Sequence, residues 1–204
     1  MTGESALVEL VGMMARLRDE CGWKAAQTHR TLAKHLLEET YETIEAIEAL
    51  DDGGSFDHLR EELGDVLLQV YLHAAIAAQA GEFDIEDVAR GLSEKMVRRN
   101  PHVFGDVEET DPARINDTWE SVKAAEKQRA DVLDGIPLEL PALSRAAKVL
   151  DRLERAGTAP PPPTRPLADS ADIGDRLLAL VAEARETGVD PEQALRDAVR
   201  RVSA

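Results

Sequence analysis

Residues 38 to 42 read EETYE, and residues 62 to 65 read ELGD. Both acidic clusters sit inside runs that otherwise look core-forming, LLEETYETIEAI and LREELGDVLLQV. On an α-helix, positions three or four apart share a face, so Glu39 and Glu42 project together, and Glu38 adjoins them through its i,i+4 relation to Glu42. Glu62 and Asp65 do the same on the next helix, and if the two helices are antiparallel their acidic faces converge. Carboxylates at that density repel, and burying them uncompensated is expensive or drives their pKa values up. A cation is therefore expected among them. All-carboxylate donors with no His or Cys in either cluster suit a hard ion, Mg²⁺ or Mn²⁺ rather than Zn²⁺, and Mg²⁺ held this way recruits phosphate oxygens as further ligands. Either motif alone is more often a solvated helix face. Their occurrence on consecutive apolar helices argues for a metal site.

The elements that must position these acids are helices. Residues 5 to 19, SALVELVGMMARLRD, carry apolar residues at helical spacing, and a loop follows from Gly22. The pattern resumes near Thr31 with Leu32, Leu36, Leu37, Tyr41, Ile44 and Ile47, until DDGGS at 51 to 55 breaks it. A third helix is expected from Phe56 to Ala80, with Leu59, Leu63, Val66, Leu67, Val70 and Ile76 on its buried side and Gly81 as its C-terminal stop. The DDGGS turn makes the second and third helices an antiparallel pair. A fourth helix, 85 to 99, stops before Asn100 and Pro101, and a fifth covers about 112 to 129.

Beyond it GIPLELP reads as a turn and 140 to 156 as a short helix. The run TAPPPPTRP holds five of the ten prolines and reads as a stiff spacer. The tail echoes the acidic helix: residues 62 to 68 read ELGDVLL and residues 172 to 178 read DIGDRLL, each followed by a break and a helix with paired arginines. The expected organisation is a catalytic domain over 1–130, a connecting segment over 131–157, a Pro-rich linker over 158–168, and a degenerate second helix pair over 169–204.

Composition agrees with packed helices. Hydrophobic residues make up 43% of the 204 positions but aromatics only 3%, which favours an all-α fold over a β-sandwich. A formal charge of −16 disfavours nucleic acid or an acidic membrane as partner. Cys21 stands alone, so no internal disulfide is possible. No apolar run approaches the ~20 residues of a membrane span, and the first residues are too polar for a signal peptide. A cytoplasmic location is the expectation.

Local cations stand out against this background. Lys95, Arg98 and Arg99 fall in the last turn of the fourth helix, where the helix dipole alone favours them. Lys123 lies one turn after Trp119, so an ammonium and an indole share a face, as a base-stacking surface beside a phosphate clamp would require. Trp119 serves equally well as a core anchor on this pattern. Trp23, Gln27, Thr28 and His29 form a polar stretch ahead of the acidic helix. No phosphate-binding GxxxxGK[ST] loop, nucleophile elbow or CxxC is present.

Taken together, EExxE and ExxD separated by 19 residues, GW at 22 and 23 with QTH at 27 to 29, EKMVRRNPHVFG at 94 to 105 and WESVKAAEK at 119 to 127 resemble the MazG-type nucleoside triphosphate pyrophosphohydrolases of the all-α NTP pyrophosphatase superfamily. The resemblance runs over residues 21 to 127. It implies a four- to five-helix bundle that hydrolyses an NTP or dNTP to the monophosphate and pyrophosphate. It implies Glu39, Glu42, Glu62 and Asp65 as Mg²⁺ ligands, with Glu38 helping to orient the attacking water. Lys95, Arg99 and Lys123 match the triphosphate-binding basic residues and Trp119 the nucleotide-contacting tryptophan, with Trp23 and Gln27 as further nucleotide contacts. It also implies a homo-oligomer, most simply a dimer, acting in nucleotide-pool cleansing or stress-linked nucleotide control.

The chain departs from the family in two places. CGWK stands where CPWD is common, so Lys24 replaces an acid. The C-terminal partial copy keeps only Asp172 and Asp175 of the acidic set, so it is expected to be catalytically silent. A narrower dUTP or dCTP pyrophosphatase and a non-catalytic helical dimerisation module with a vestigial metal site remain as alternatives.

Overall fold

A computed structural model describes residues 5–127, 131–158 and 172–203. Every regular element among them is helical, and none of these helices is long and apolar enough to cross a membrane. The chain divides into two compact units between Trp119 and Glu120. The proline-rich run expected as a linker lies, apart from its first residue, outside the described residues.

The first unit is built on a hairpin of two long helices, α3 (His29–Asp51) and α4 (Phe56–Gln79). Thr28 caps α3: its hydroxyl accepts from the Thr31 amide at 3.2 Å, and the Thr31 hydroxyl accepts from the Thr28 amide at 2.9 Å. At the far end Gly53 adopts φ +82°, and the Gly54 amide donates to the Ala49 carbonyl at 2.8 Å, closing the helix end. A Cβ on Gly54 would meet that carbonyl oxygen at 2.6 Å, so the second glycine of DDGGS permits the close approach. The Ser55 hydroxyl then caps α4 through the Asp57 amide. Contacts between Glu39 and Gln69 and between Thr43 and Glu62 run in opposite chain directions, so the pair is antiparallel. Gly81, at φ +73°, ends α4 with the Glu82 amide donating back to Ala77.

Helix α1 (Ala6–Glu20) packs against α4. Met14, Leu32, Tyr71 and Leu72 form the buried core, with Leu10, Leu17, Leu67, Leu68, Ile76 and Ile85 packed around it. The Tyr71 hydroxyl donates to the Leu7 carbonyl at 2.8 Å. Arg18 fastens the end of α1 to Gln79 of α4 and to the carbonyls of Lys24 and Gln27. The expected loop after α1 contains one short helical turn, α2 (Gly22–Ala25). Helix α5 (Ile85–Arg99) starts on an Asp84–Asp87 capping box and is followed by a second short turn, α6 (Pro101–Phe104).

One expectation about α4 fails. Leu63 and Val70 were assigned to its buried side, yet they are 51% and 36% exposed, and with Phe56 at 77% they form a bare stripe at seven-residue spacing. Tyr71, Leu72, Ala74 and Ala77 occupy the buried positions instead, together with Gln69. Leu59, Val66, Leu67 and Ile76 are half-buried. On α3, Leu37, Tyr41 and Ile47 are likewise exposed. The hairpin has more apolar faces than the first unit has helices to cover them.

Helix α7 (Pro112–Lys127) spans the division between the units. In the second unit α8 (Ala142–Arg155), α9 (Ile173–Glu186) and α10 (Pro191–Ser203) all pack on one another. Val181 is its buried centre, and Arg185 of α9 reaches Glu154 at 2.8 Å and Asp151 at 3.6 Å on α8.

Candidate functional site

The helical period of EETYE and the hairpin register put the acids of α3 and α4 opposite one another. Carboxylate oxygens of Glu39, Glu42 and Glu62 lie within 4.8 Å of one another. Asp65, one turn past Glu62, is outside that tight set but close enough for its charge to act on Glu39. Partial burial, then the charges of Asp65 and Glu42, push the Glu39 carboxyl above its ordinary value. Among the described residues no lysine or arginine pairs with any of these four acids; the one nearby base is His58, whose Nδ1 is 3.4 Å from Glu62 Oε1. The Glu62 side chain is only 12% exposed. Among the described residues three acids converge, with Asp65 nearby, and no lysine or arginine is paired to them.

Two residues that the acidic motifs do not include hold this arrangement. Thr43, one turn after Glu39, is buried and donates its hydroxyl to the Glu39 carbonyl at 2.8 Å, with the Glu62 carbonyl at 3.3 Å. Gln69, one turn after Asp65, is 4% exposed and directs Nε2 toward Glu39 Oε1 at 3.5 Å. Extending each acidic row by one helical turn would have found both.

Glu38 points elsewhere than the tight set. Its Oε2 is 2.9 Å from His35 Nδ1, and the His35 ring stands edge-on to Trp23 at 5.9 Å. Lys24 Nζ lies 4.8 Å from the Trp23 ring centroid, so the substituted lysine covers the indole, which stays 52% exposed. Both ends of the Gln27 amide are engaged locally, Nε2 with the Trp23 carbonyl at 3.0 Å and Oε1 with the Thr31 hydroxyl at 2.8 Å. His29, exposed at the start of α3, meets His73 of α4, the two Nδ1 atoms 2.8 Å apart.

Among the cations, the Arg99 guanidinium sits 5.4 Å from the Trp119 ring centroid, and Lys95 shares its helical face one turn earlier. Lys123 belongs to the second unit, where it pairs with Glu120 at 2.7 Å.

A family model for the MazG nucleotide pyrophosphohydrolase domain matches residues 27–104. A Thermotoga maritima protein named nucleoside triphosphate pyrophosphohydrolase/pyrophosphatase MazG is 40% identical over 214 aligned positions, covering 95% of this chain and 81% of that protein. The chain belongs to the MazG nucleotide pyrophosphohydrolase family. It is thereby a member of an enzyme family of hydrolases acting on acid anhydrides. An Escherichia coli K12 relative named nucleoside triphosphate pyrophosphohydrolase is 42% identical over 72% of this chain and 57% of its own length. An uncharacterised Streptomyces cacaoi protein is 46% identical over 94% of this chain and 77% of its own. The MazG match contains both acidic helices, Gln27, Lys95 and Arg99; Trp23, Trp119 and Lys123 lie beyond its limits.

Proposed function

We propose that this MazG-family chain hydrolyses nucleoside triphosphates, ribo- or deoxyribo-, to the monophosphate and pyrophosphate in a Mg²⁺-dependent reaction. The observation that carries this is the convergence of Glu39, Glu42 and Glu62 within 4.8 Å with no lysine or arginine paired to them among the described residues. Four carboxylates that repel one another, and would repel a triphosphate still more strongly, fit a hard divalent cation, with Mn²⁺ as a substitute. Glu39, Glu42, Glu62 and Asp65 would hold it. When bound, such an ion lowers the pKa of a coordinated water, holds phosphate oxygens and neutralises charge developing on them.

The protein's own groups supply the rest. Lys95 and Arg99 would stabilise the departing pyrophosphate, and Trp119, already paired with Arg99, would contact the nucleoside; for Lys123 the family resemblance alone supports a triphosphate-binding role. Glu38, steadied by His35, would orient the water that attacks the α-phosphorus as the α–β anhydride bond breaks. Trp23 offers an exposed indole to the base; Gln27 would act through the backbone it braces.

The bare apolar stripes on α3 and α4 support a homodimer in which a second copy covers them. Nucleic acid and membrane are not proposed as partners, because the charge of −16 opposes both. The cellular role proposed is nucleotide-pool cleansing or stress-linked nucleotide control in the cytoplasm.

Incubation with a panel of normal and damaged NTPs and dNTPs plus Mg²⁺, with separation of the products, tests this. Monophosphate and pyrophosphate are expected. Orthophosphate and a diphosphate would exclude α–β cleavage, and inertness toward every nucleotide would favour a non-catalytic helical module.

A further inference from the structure

Gln69 is an unexpected occupant of the inner face of α4. It is 4% exposed, its Oε1 is buried and has no hydrogen-bond partner among the described residues, and its Nε2 has the Glu39 carboxylate as its acceptor. Leaving a buried amide acceptor unsatisfied costs about 1–3 kcal/mol, whereas an apolar side chain of the same shape would avoid that penalty. Packing therefore does not explain a glutamine here. The contact with Glu39 does: the other groups acting on that carboxyl are Asp65 and Glu42, both acids, so Gln69 is the neutral donor among them. A carboxylate only accepts hydrogen bonds, which fixes the amide with its NH₂ toward Glu39 and strands the oxygen on the far side. Thr43 holds the backbone of Glu39 and Gln69 holds its head.

We propose that Gln69 is a positioning residue for the divalent-cation site: it engages Glu39 Oε1 and so would orient the Glu39 carboxylate that holds the cation. This rests on the metal-site reading given above. The 3.5 Å separation lies at the long end of hydrogen-bond geometry. Partners of this kind commonly contribute about 10–100-fold to metal affinity.

The test is titration of the full chain with Mn²⁺ alone, followed by calorimetry or by the loss of the free-ion electron paramagnetic signal. Wild type is compared with Gln69→Met, Gln69→Leu and Glu39→Gln, and each is also melted in chelator. Both Gln69 variants should bind Mn²⁺ at least about ten-fold more weakly. Their melting temperatures in chelator should be unchanged or higher, since the stranded acceptor is gone. Glu39→Gln should abolish binding, which shows that the titrated ion occupies this site. Unchanged Mn²⁺ affinity in either folded Gln69 variant overturns the inference while leaving the metal site standing. Failure of both variants to fold also overturns it, because a residue kept for the cation is dispensable to the fold. If wild type itself takes up no Mn²⁺, the metal-site reading falls and this inference falls with it.

Discussion

The Thr43 hydroxyl lies 3.3 Å from the backbone carbonyl of Glu62, so a buried side chain on one acid-bearing helix touches the main chain of the other at the residue that supplies an acid. The same hydroxyl donates to the Glu39 carbonyl at 2.8 Å. The hydroxyl thus bridges the main chains of the two helices at Glu39 and Glu62.

Thr43→Val keeps the shape and removes that bond. It should lower unfolding free energy by about 1 kcal/mol in urea titrations, while Thr43→Ser, which keeps the hydroxyl, should lose less. A larger loss in Thr43→Ser than in Thr43→Val would mean that the methyl group, not the hydrogen bond, matters at this position.

Glu39→Gln should separate stability from activity. The folded protein holds the Glu39 carboxyl above its ordinary value of 4.5, so its favourable contribution is present below that value and is lost as pH rises through the folded pKa. At neutral pH in chelator the ionised group is a liability, and Glu39→Gln should melt no lower than wild type. Mg²⁺ should then raise the melting temperature of wild type only, and pyrophosphate release should fall on the order of 100-fold or more in the variant. A variant that melts lower in chelator would assign Glu39 a structural role.

Much of this hairpin is legible in the sequence because its signals are local. The acidic spacing, the DDGGS turn and Gly81 each act over a few residues, and each predicts an element that the structure contains. Less legible was what covers a face: Leu63 and Val70 satisfy helical periodicity, but periodicity marks an apolar stripe without saying which partner buries it. Gln69 lies one turn along the acidic row, yet its burial is not legible for the converse reason, since a glutamine on an amphipathic helix normally marks the solvent side. The His29–His73 contact spans 44 positions, beyond the reach of any local pattern.

That histidine pair predicts an acid-sensitive hairpin. Burial, then the neighbouring His29, hold His73 below its ordinary value of 6.5. The unfolded chain therefore binds a proton more readily than the folded one. The stability contributed by neutral His73 is complete above the ordinary value and is lost as pH falls below it. Melting temperature should drop between about pH 7 and about pH 5, and His73→Phe should flatten that slope. A wild-type profile as flat as that of the variant would show that the pair tolerates a second proton.

The acidic remnant in the tail is expected to matter for folding and not for chemistry. Asp172 caps α9, its carboxylate accepting from the Gly174 amide at 2.7 Å, and Asp175 lies in the first turn, where a negative charge suits the helix dipole. The two aspartates that echo ELGD thus have a local use that needs no cation. Asp172→Ala should cost about 1 kcal/mol in chemical denaturation of the full chain. Asp175→Asn should cost less, about the 0.3–1 kcal/mol of a dipole contact. Both should leave kcat/KM for nucleotide hydrolysis at the wild-type value, in contrast to Glu39→Gln. A loss of turnover in Asp175→Asn without loss of stability would show that the second acidic row still takes part in the reaction.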